Sequence, residues 1–123
     1  MAIISLDAGT TVVKAVLFDS EGFELQVARQ ETTVDRPRPG FSEQDMDAVW
    51  AAVIETTRTL VEASREDIDA IALTGQGDGC WLVDADGTPT GPAILWNDAR
   101  ALPVVVGWEK EGVLDAASRI NGN

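Results

Sequence analysis

Residues 1–19, MAIISLDAGTTVVKAVLFD, decide how the rest of the chain is read. An apolar strand enters an Asp-Ala-Gly-Thr-Thr turn and a second apolar strand leaves it. Such a turn has the parts of a phosphate cradle. Gly9 lets the backbone approach an oxyanion, the hydroxyls of Thr10 and Thr11 and the turn N–H groups can donate hydrogen bonds, and Asp7 can hold a hydrated divalent metal ion. Lys14, one strand later, supplies the positive point charge that a terminal phosphate needs. A plain hairpin with Asp and Gly in its turn has the same composition, so the choice falls to the segments that follow.

Working outward, Ile3–Leu6, Val12–Phe18 and Phe23–Gln30 read as three successive strands, the second and third joined by the turn-forming Asp19-Ser20-Glu21-Gly22. Val34–Gly40 is rich in proline and charge and reads as a surface loop. From Ser42 the period changes. Met46, Val49, Trp50, Val53, Ile54, Thr57, Leu60 and Val61 share one helix face, with Ser42 and Asp45 as a capping box. Ile68–Thr74 then reads as a buried strand beside the first three, giving the order βββαβ. Cys80–Val83, the turn Asp84–Gly87 and the apolar Ala93–Trp96 read as a hairpin added beyond that strand. Leu102–Lys110, with Pro103 in its first turn, and Val113–Ile120 read as helices.

Composition narrows the classes. The chain has 123 residues, 45% of them hydrophobic, enough for about one domain with a substantial core. Nine basic against 21 acidic side chains give a net charge of −12, which disfavours nucleic acid and anionic membrane surfaces as partners. A small phosphate ligand remains compatible, because backbone amides, a metal ion and one lysine cancel the repulsion locally. The chain has no histidine, which excludes Ser-His-Asp and Cys-His catalysis within it. Cys80 is its only cysteine, and the first apolar run is broken by Ser5 and Asp7, so a reducing cytoplasmic setting is expected.

Three polar clusters fall where strands end: Asp7–Thr11, Gly75–Gly79 and Trp96–Arg100. Open sheets collect ligands beyond the carboxyl ends of their strands. Asp78 and Asp98 can accept paired hydrogen bonds from adjacent hydroxyls of a sugar or polyol while Trp81 or Trp96 covers its C–H face. Asp78 also reads as a turn aspartate and Trp81 as a core residue of the hairpin. Asn97-Asp98 can equally cap the next helix, and Arg100 can pair with Asp98. Gly75, Gly77 and Gly79 lack the spacing of a dinucleotide turn, and Asp84-Ala-Asp-Gly lacks the later carboxylates of a calcium loop.

In order, LDAGTTVVKAVLFD (6–19), GFSEQD (40–45) followed by Trp50, IALTGQGDG (71–79) and GTPTGPAILWNDAR (87–100) resemble the opening of the FGGY family of carbohydrate kinases, within the larger group of sugar kinases, Hsp70 and actin. The last motif is very similar to that of xylulose kinases. The resemblance implies an RNase H-like mixed sheet of α/β class, with a phosphate-binding βββαβ core in 1–75 and a sugar-binding insertion with following helices in 76–123. It implies ATP-dependent phosphorylation of a sugar or polyol, with Mg²⁺ and ATP phosphates at Asp7, Gly9, Thr10, Thr11 and Lys14, and the acceptor at Gln76, Asp78, Trp96 and Asp98. Where xylulose kinases carry Met-His and glycerol kinases Arg-Glu, this chain has Gly77-Asp78. An acidic side chain there suits a polyhydroxy compound read through its hydroxyl donors, so a tetritol or pentitol fits as well as a ketopentose.

Family members are several times longer. The resemblance places the catalytic base aspartate, a second phosphate motif and the adenosine pocket after Asn123. The chain is therefore expected to be an N-terminal fragment, inactive alone, whose uncovered sheet surface meets the remainder of the kinase or another copy. A non-catalytic nucleotide-binding module of the actin/Hsp70 group and a stand-alone interaction module are the competing readings.

Overall fold

The computed structural model describes residues 1–122. In chain order the elements are β1 (Ala2–Ala8), β2 (Val12–Phe18), β3 (Glu24–Glu31), β4 (Glu43–Gln44), α1 (Met46–Ala63), β5 (Ile68–Gly75), β6 (Ala93–Ile94), α2 (Leu102–Lys110) and α3 (Val113–Asn121). The main sheet has the order β3-β2-β1-β5, and β4 pairs with β6 in a separate two-stranded ladder.

The first three strands form the expected antiparallel meander. Opposed residues share a face, so the register Ile4↔Leu17, Leu6↔Ala15 and Ala15↔Ala28 gathers the apolar set on one side. There Ala2, Ile4, Leu6, Val13, Ala15, Leu17 and Ala28 pack against Ala52 and Leu60 of α1. The opposite face receives Ser5, Asp7 and Lys14. After α1 crosses over, β5 returns parallel to β1, with Ile4 beside Ile71 and Asp7 beside Thr74.

Four local expectations need correction. Ser42 does not cap α1; Asp45 does, its carboxylate accepting from the N–H groups of Asp47 (2.9 Å) and Ala48 (3.1 Å). Glu43 and Gln44 are extended instead, because they pair with Ala93–Ile94. That pairing also loosens the expected hairpin, in which Cys80 meets Ile94 and Val83 meets Pro89 only as isolated bridges.

The buried stripe of α1 is Val49, Ala52, Thr56 and Leu60, whereas Trp50 (62% exposed) and Val61 (47%) face outward. Hydropathy favours the large side chains, but short ones let the helix approach a sheet that presents Ala2, Ala15 and Ala28. The Thr56 hydroxyl tolerates burial by donating to the Ala52 carbonyl at 2.9 Å. Lastly, β5 is not buried. It is an exposed edge with Leu73 72% accessible, because α1 covers β1, β2 and β3 but not β5.

Helices α2 and α3 form where expected and pack on each other, with no buried residue in either. The Asp84–Gly87 turn is tight, the Asp84 carboxylate accepting from Asp86 and Thr88 N–H at 2.9 Å each. Among the described residues no helix is long and apolar enough to cross a membrane.

Candidate phosphate and acceptor site

The parallel pairing of β1 and β5 ends with Asp7 beside Thr74 and Ala8 beside Gly75, so the turns that follow them emerge together. They border an open pocket of about 330 Å³ lined by Asp7, Gly9, Thr10, Gly75, Gln76, Gly77, Asp78 and Trp96. Two of the three clusters and the indole of the third thus meet. A larger hollow of about 500 Å³, between the end of β3 and the start of α1, has Glu31, Asp35, Asp45 and Glu55 in its wall and no cation, which suits no phosphate.

In the first turn, Gly9 N–H donates to the Val12 carbonyl at 3.1 Å. A Cβ on Gly9 would lie 2.7 Å from that oxygen, so the turn admits only glycine. The turn's carbonyls point back into the protein: Thr11 O accepts from Thr32 N (3.0 Å), and Thr10 O accepts from Thr32 Oγ1 (3.0 Å) and Gln44 Nε2 (2.9 Å). The N–H groups of Thr10 and Thr11 donate to no protein acceptor among the described residues. A turn with engaged carbonyls and unspent amides presents donors to an anion.

The Thr10 hydroxyl, expected at the phosphates, has partners within the protein. Its Oγ1 donates to Gln76 Oε1 (2.9 Å), and Trp96 Nε1 lies 3.4 Å from the same oxygen. Thr11 is the exposed hydroxyl of the pair. Asp7 is exposed at the cavity wall, and Lys14 lies directly across the ladder from it on the same face, half-buried and outside the cavity lining.

On the opposite wall, Asp78 is the only non-glycine residue with positive φ (54°) among the described residues. Aspartate tolerates this left-handed region better than most residues. Its neighbour Gly79 is required by space, since a Cβ there would be 2.6 Å from Trp81 Nε1 and 3.2 Å from the Ile94 carbonyl. Trp81 itself is half-buried and lines a separate apolar hollow with Met46, Trp50 and Leu73, in line with its reading as a packing residue.

Asp98 does not join the cavity. Its side chain is 2% exposed, and both oxygens are committed: Oδ2 accepts from Ser42 N–H (2.6 Å) and Arg100 Nη2 (2.8 Å), Oδ1 from Arg100 N–H and Nε (2.8 Å each). Arg100 Nη2 also reaches Glu43 Oε1 at 2.7 Å, and its guanidinium lies 4.0 Å from the Phe41 ring centroid. The Arg100 hydrogen bonds, aided by the Ser42 N–H, hold the Asp98 carboxyl well below the usual carboxylate range against the opposing effect of desolvation. Asp98 and Glu43 in turn push Arg100 further up. Asp98, expected beside the sugar, is engaged instead by Arg100 and Ser42, and with the Arg100–Glu43 pair it ties the Trp96 loop to β4. Asp98 does not cap α2 either, whose N-cap is Ala101 without a side-chain hydrogen bond.

Sequence reading missed Gln44 and Thr32. Gln44 is 1% exposed and lies within a quoted motif, but just before a helix it resembles part of the cap. Only its pairing with β6 turns it toward Thr10.

The profile of the FGGY family of carbohydrate kinases, N-terminal domain, matches residues 2–123. Similar proteins include the probable L-xylulose kinase of Haemophilus influenzae, 37% identical over 114 residues, covering 90% of this chain and 24% of that protein. The erythritol kinase of Brucella abortus is 40% identical over 106 residues, covering 84% and 20%. The crystal structure of ligand-bound xylulose kinase from Lactobacillus acidophilus superposes with a TM-score of 0.91 at 25% identity, covering 96% of this chain and 24% of that one. The chain belongs to the FGGY family of carbohydrate kinases. It spans about a quarter of the length of the curated relatives it matches.

Proposed function

We propose that this chain forms the phosphate-gripping and acceptor-binding part of an ATP-dependent kinase for a small polyol or sugar. The sheet is read as RNase H-like, with the core in 1–75 and the acceptor insertion in 76–123. The observation that carries the proposal is the pair of unspent amides, Thr10 and Thr11 N–H, opening beside a cavity whose other wall bears Gln76, Asp78 and Trp96. Phosphoryl transfer rests on positioning and electrostatic stabilisation, and open turn amides next to a pocket with hydroxyl-binding groups support that reading.

In this reading the Thr10 and Thr11 amides and the Thr11 hydroxyl hold phosphoryl oxygens, and Lys14 offsets their charge from the same sheet face. Asp78 accepts hydrogen bonds from acceptor hydroxyls, Gln76 offers one further N–H, and Trp96 covers a C–H face. Mg²⁺ suits Asp7, because that ion is commonly held by one or two carboxylates together with water and substrate phosphate, and Asp7 is an exposed lone carboxylate at the turn. Bound there, the ion would neutralise charge developing on the phosphates. The carboxylate that takes the proton from the attacking hydroxyl is read as lying outside residues 1–123, so that these residues alone are inactive.

The test is ADP formation by the full-length protein with ATP and a panel of erythritol, xylitol and xylulose. Acceptor-dependent ADP formation with at least one of them is expected. ADP release indifferent to all polyhydroxy compounds, or none, would overturn the reading in favour of a nucleotide-binding or interaction module.

A further inference from the structure

We propose that Gln44 is a positioning residue that couples the acceptor turn to the phosphate turn, an inference that rests on the kinase reading above. Gln44 closes a ring of three hydrogen bonds: Gln44 Nε2 donates to Thr10 O (2.9 Å), Thr10 Oγ1 donates to Gln76 Oε1 (2.9 Å), and Gln76 Nε2 donates to Gln44 Oε1 (3.0 Å). The three residues come from the β1–β2 turn, β4 and the segment after β5, so the ring ties together parts of the chain far apart in sequence.

The ring has a fixed polarity, and one group sets it. The Thr10 carbonyl can only accept, so the Gln44 amide must turn its NH₂ toward it. Gln44 Oε1 then faces Gln76, which must offer its own NH₂. Gln76 Oε1 is left to accept the Thr10 hydroxyl proton. The lone pairs of Thr10 Oγ1 consequently face Trp96 Nε1, 3.4 Å away.

Acceptor contacts at Gln76 and Trp96 therefore bear on Thr10. A ligand hydroxyl that draws on Gln76, or a ring that settles against Trp96, pulls on the residue whose N–H faces the phosphate. Gln44 is buried at 1% exposure and absent from the lining of the cavity, so it touches neither ligand. It works through its neighbours, and the ring can hold Thr10 in one place only while all three members are bonded.

The test measures binding of a non-hydrolysable ATP analogue with Mg²⁺ to the full-length protein by calorimetry, with and without saturating acceptor from the panel above. In the unaltered protein the acceptor is expected to tighten analogue binding about fivefold or more, the usual size of a coupling between sites. Gln44→Met keeps the volume and deletes the ring, and should bring that factor within about twofold of unity while the melting temperature stays within a few degrees. Gln44→His, which can donate to Thr10 O from one ring nitrogen and accept from Gln76 with the other, should restore part of the coupling. Should Gln44→Met fail to fold, Gln44→Glu replaces it, since a carboxylate can accept from Gln76 but cannot donate to Thr10 O.

Full coupling in the Met or Glu variant would overturn the proposal. So would two ligands binding independently to the unaltered protein, which leaves the kinase reading standing. Binding of neither ligand to the unaltered protein would remove the kinase reading and the coupling together.

Discussion

Two aspartates at strand ends, Asp78 and Asp98, look alike in sequence and serve opposite ends in the structure. Asp98 is enclosed, with every oxygen taken by Arg100 or the Ser42 N–H. Asp78 is exposed, held in a left-handed backbone conformation between glycines, and lines the cavity. A carboxylate whose hydrogen bonds are complete within the protein fixes geometry, whereas one left open beside an indole and a glutamine amide has capacity for a ligand. The same contrast separates Thr10 from Thr11: the first hydroxyl is spent on Gln76, the second is exposed.

Four substitutions in the full-length protein sharpen or break this comparison. The largest effect is expected at the open side from Asp7→Ala, which should lower kcat by about two to three orders of magnitude with little change in acceptor KM, as for loss of one transition-state charge contact. Steady-state kinetics decide it, and an unchanged kcat would remove Asp7 from the phosphate site. Asp78→Ala should raise acceptor KM by about tenfold to a hundredfold through loss of charge-assisted hydrogen bonds, with kcat close to that of the unaltered enzyme. Acceptor kinetics untouched by this change would place Asp78 among ordinary turn residues.

The enclosed side predicts a stability signature. Asp98 has a folded pKa below its ordinary value of 3.8, so its contribution is fully present above about pH 4 and is lost as pH falls toward the lowered folded value. Asp98→Asn should therefore be less stable than the unaltered protein at pH 7, with the gap narrowing below about pH 4, read from urea midpoints at both pH values. A gap independent of pH would show that the charge of Asp98 does no work. The smallest effect belongs to Ser42, whose buried Oγ has no hydrogen-bond partner among the described residues. Ser42→Ala should be neutral or stabilising by up to about 1 kcal/mol in the same denaturation experiment, since a buried unpaired hydroxyl is itself a cost.

Much of the scaffold was legible in the residues. Apolar runs on either side of an Asp-Ala-Gly-Thr-Thr turn give β1 and β2, and the shift to a helical period from Ser42 points to α1, whose first residue is Met46. Pro103 marks the start of α2. Less legible were features settled by packing between distant segments. The β4–β6 ladder is two residues long on each side, too short to leave a periodic trace. The buried face of α1 was misjudged because Ala52 and Thr56 carry little hydropathic weight. The exposure of β5 depends on what α1 leaves uncovered, and that of Trp50 and Val61 on which face of α1 meets the sheet.

At the site, the Gly9 turn and the Gln76–Asp78 segment could be found from composition and order. Whether Asp98 faces a ligand or Arg100 could not, because Asn-Asp-Ala-Arg serves either arrangement. Gln44 carries no signal of its own. Its role comes from an acceptor-only carbonyl, Thr10 O, that sequence does not place beside it.

The central claim is that the Gly9–Thr11 turn grips phosphate through main-chain donors, and amide hydrogen exchange at single-residue resolution tests it most directly. With a non-hydrolysable ATP analogue and Mg²⁺ bound to the full-length protein, exchange at Thr10 and Thr11 should slow well beyond that of the Asp84–Gly87 turn, which lies outside the site. Unchanged exchange at both amides, with protection elsewhere showing that the analogue is bound, would contradict it.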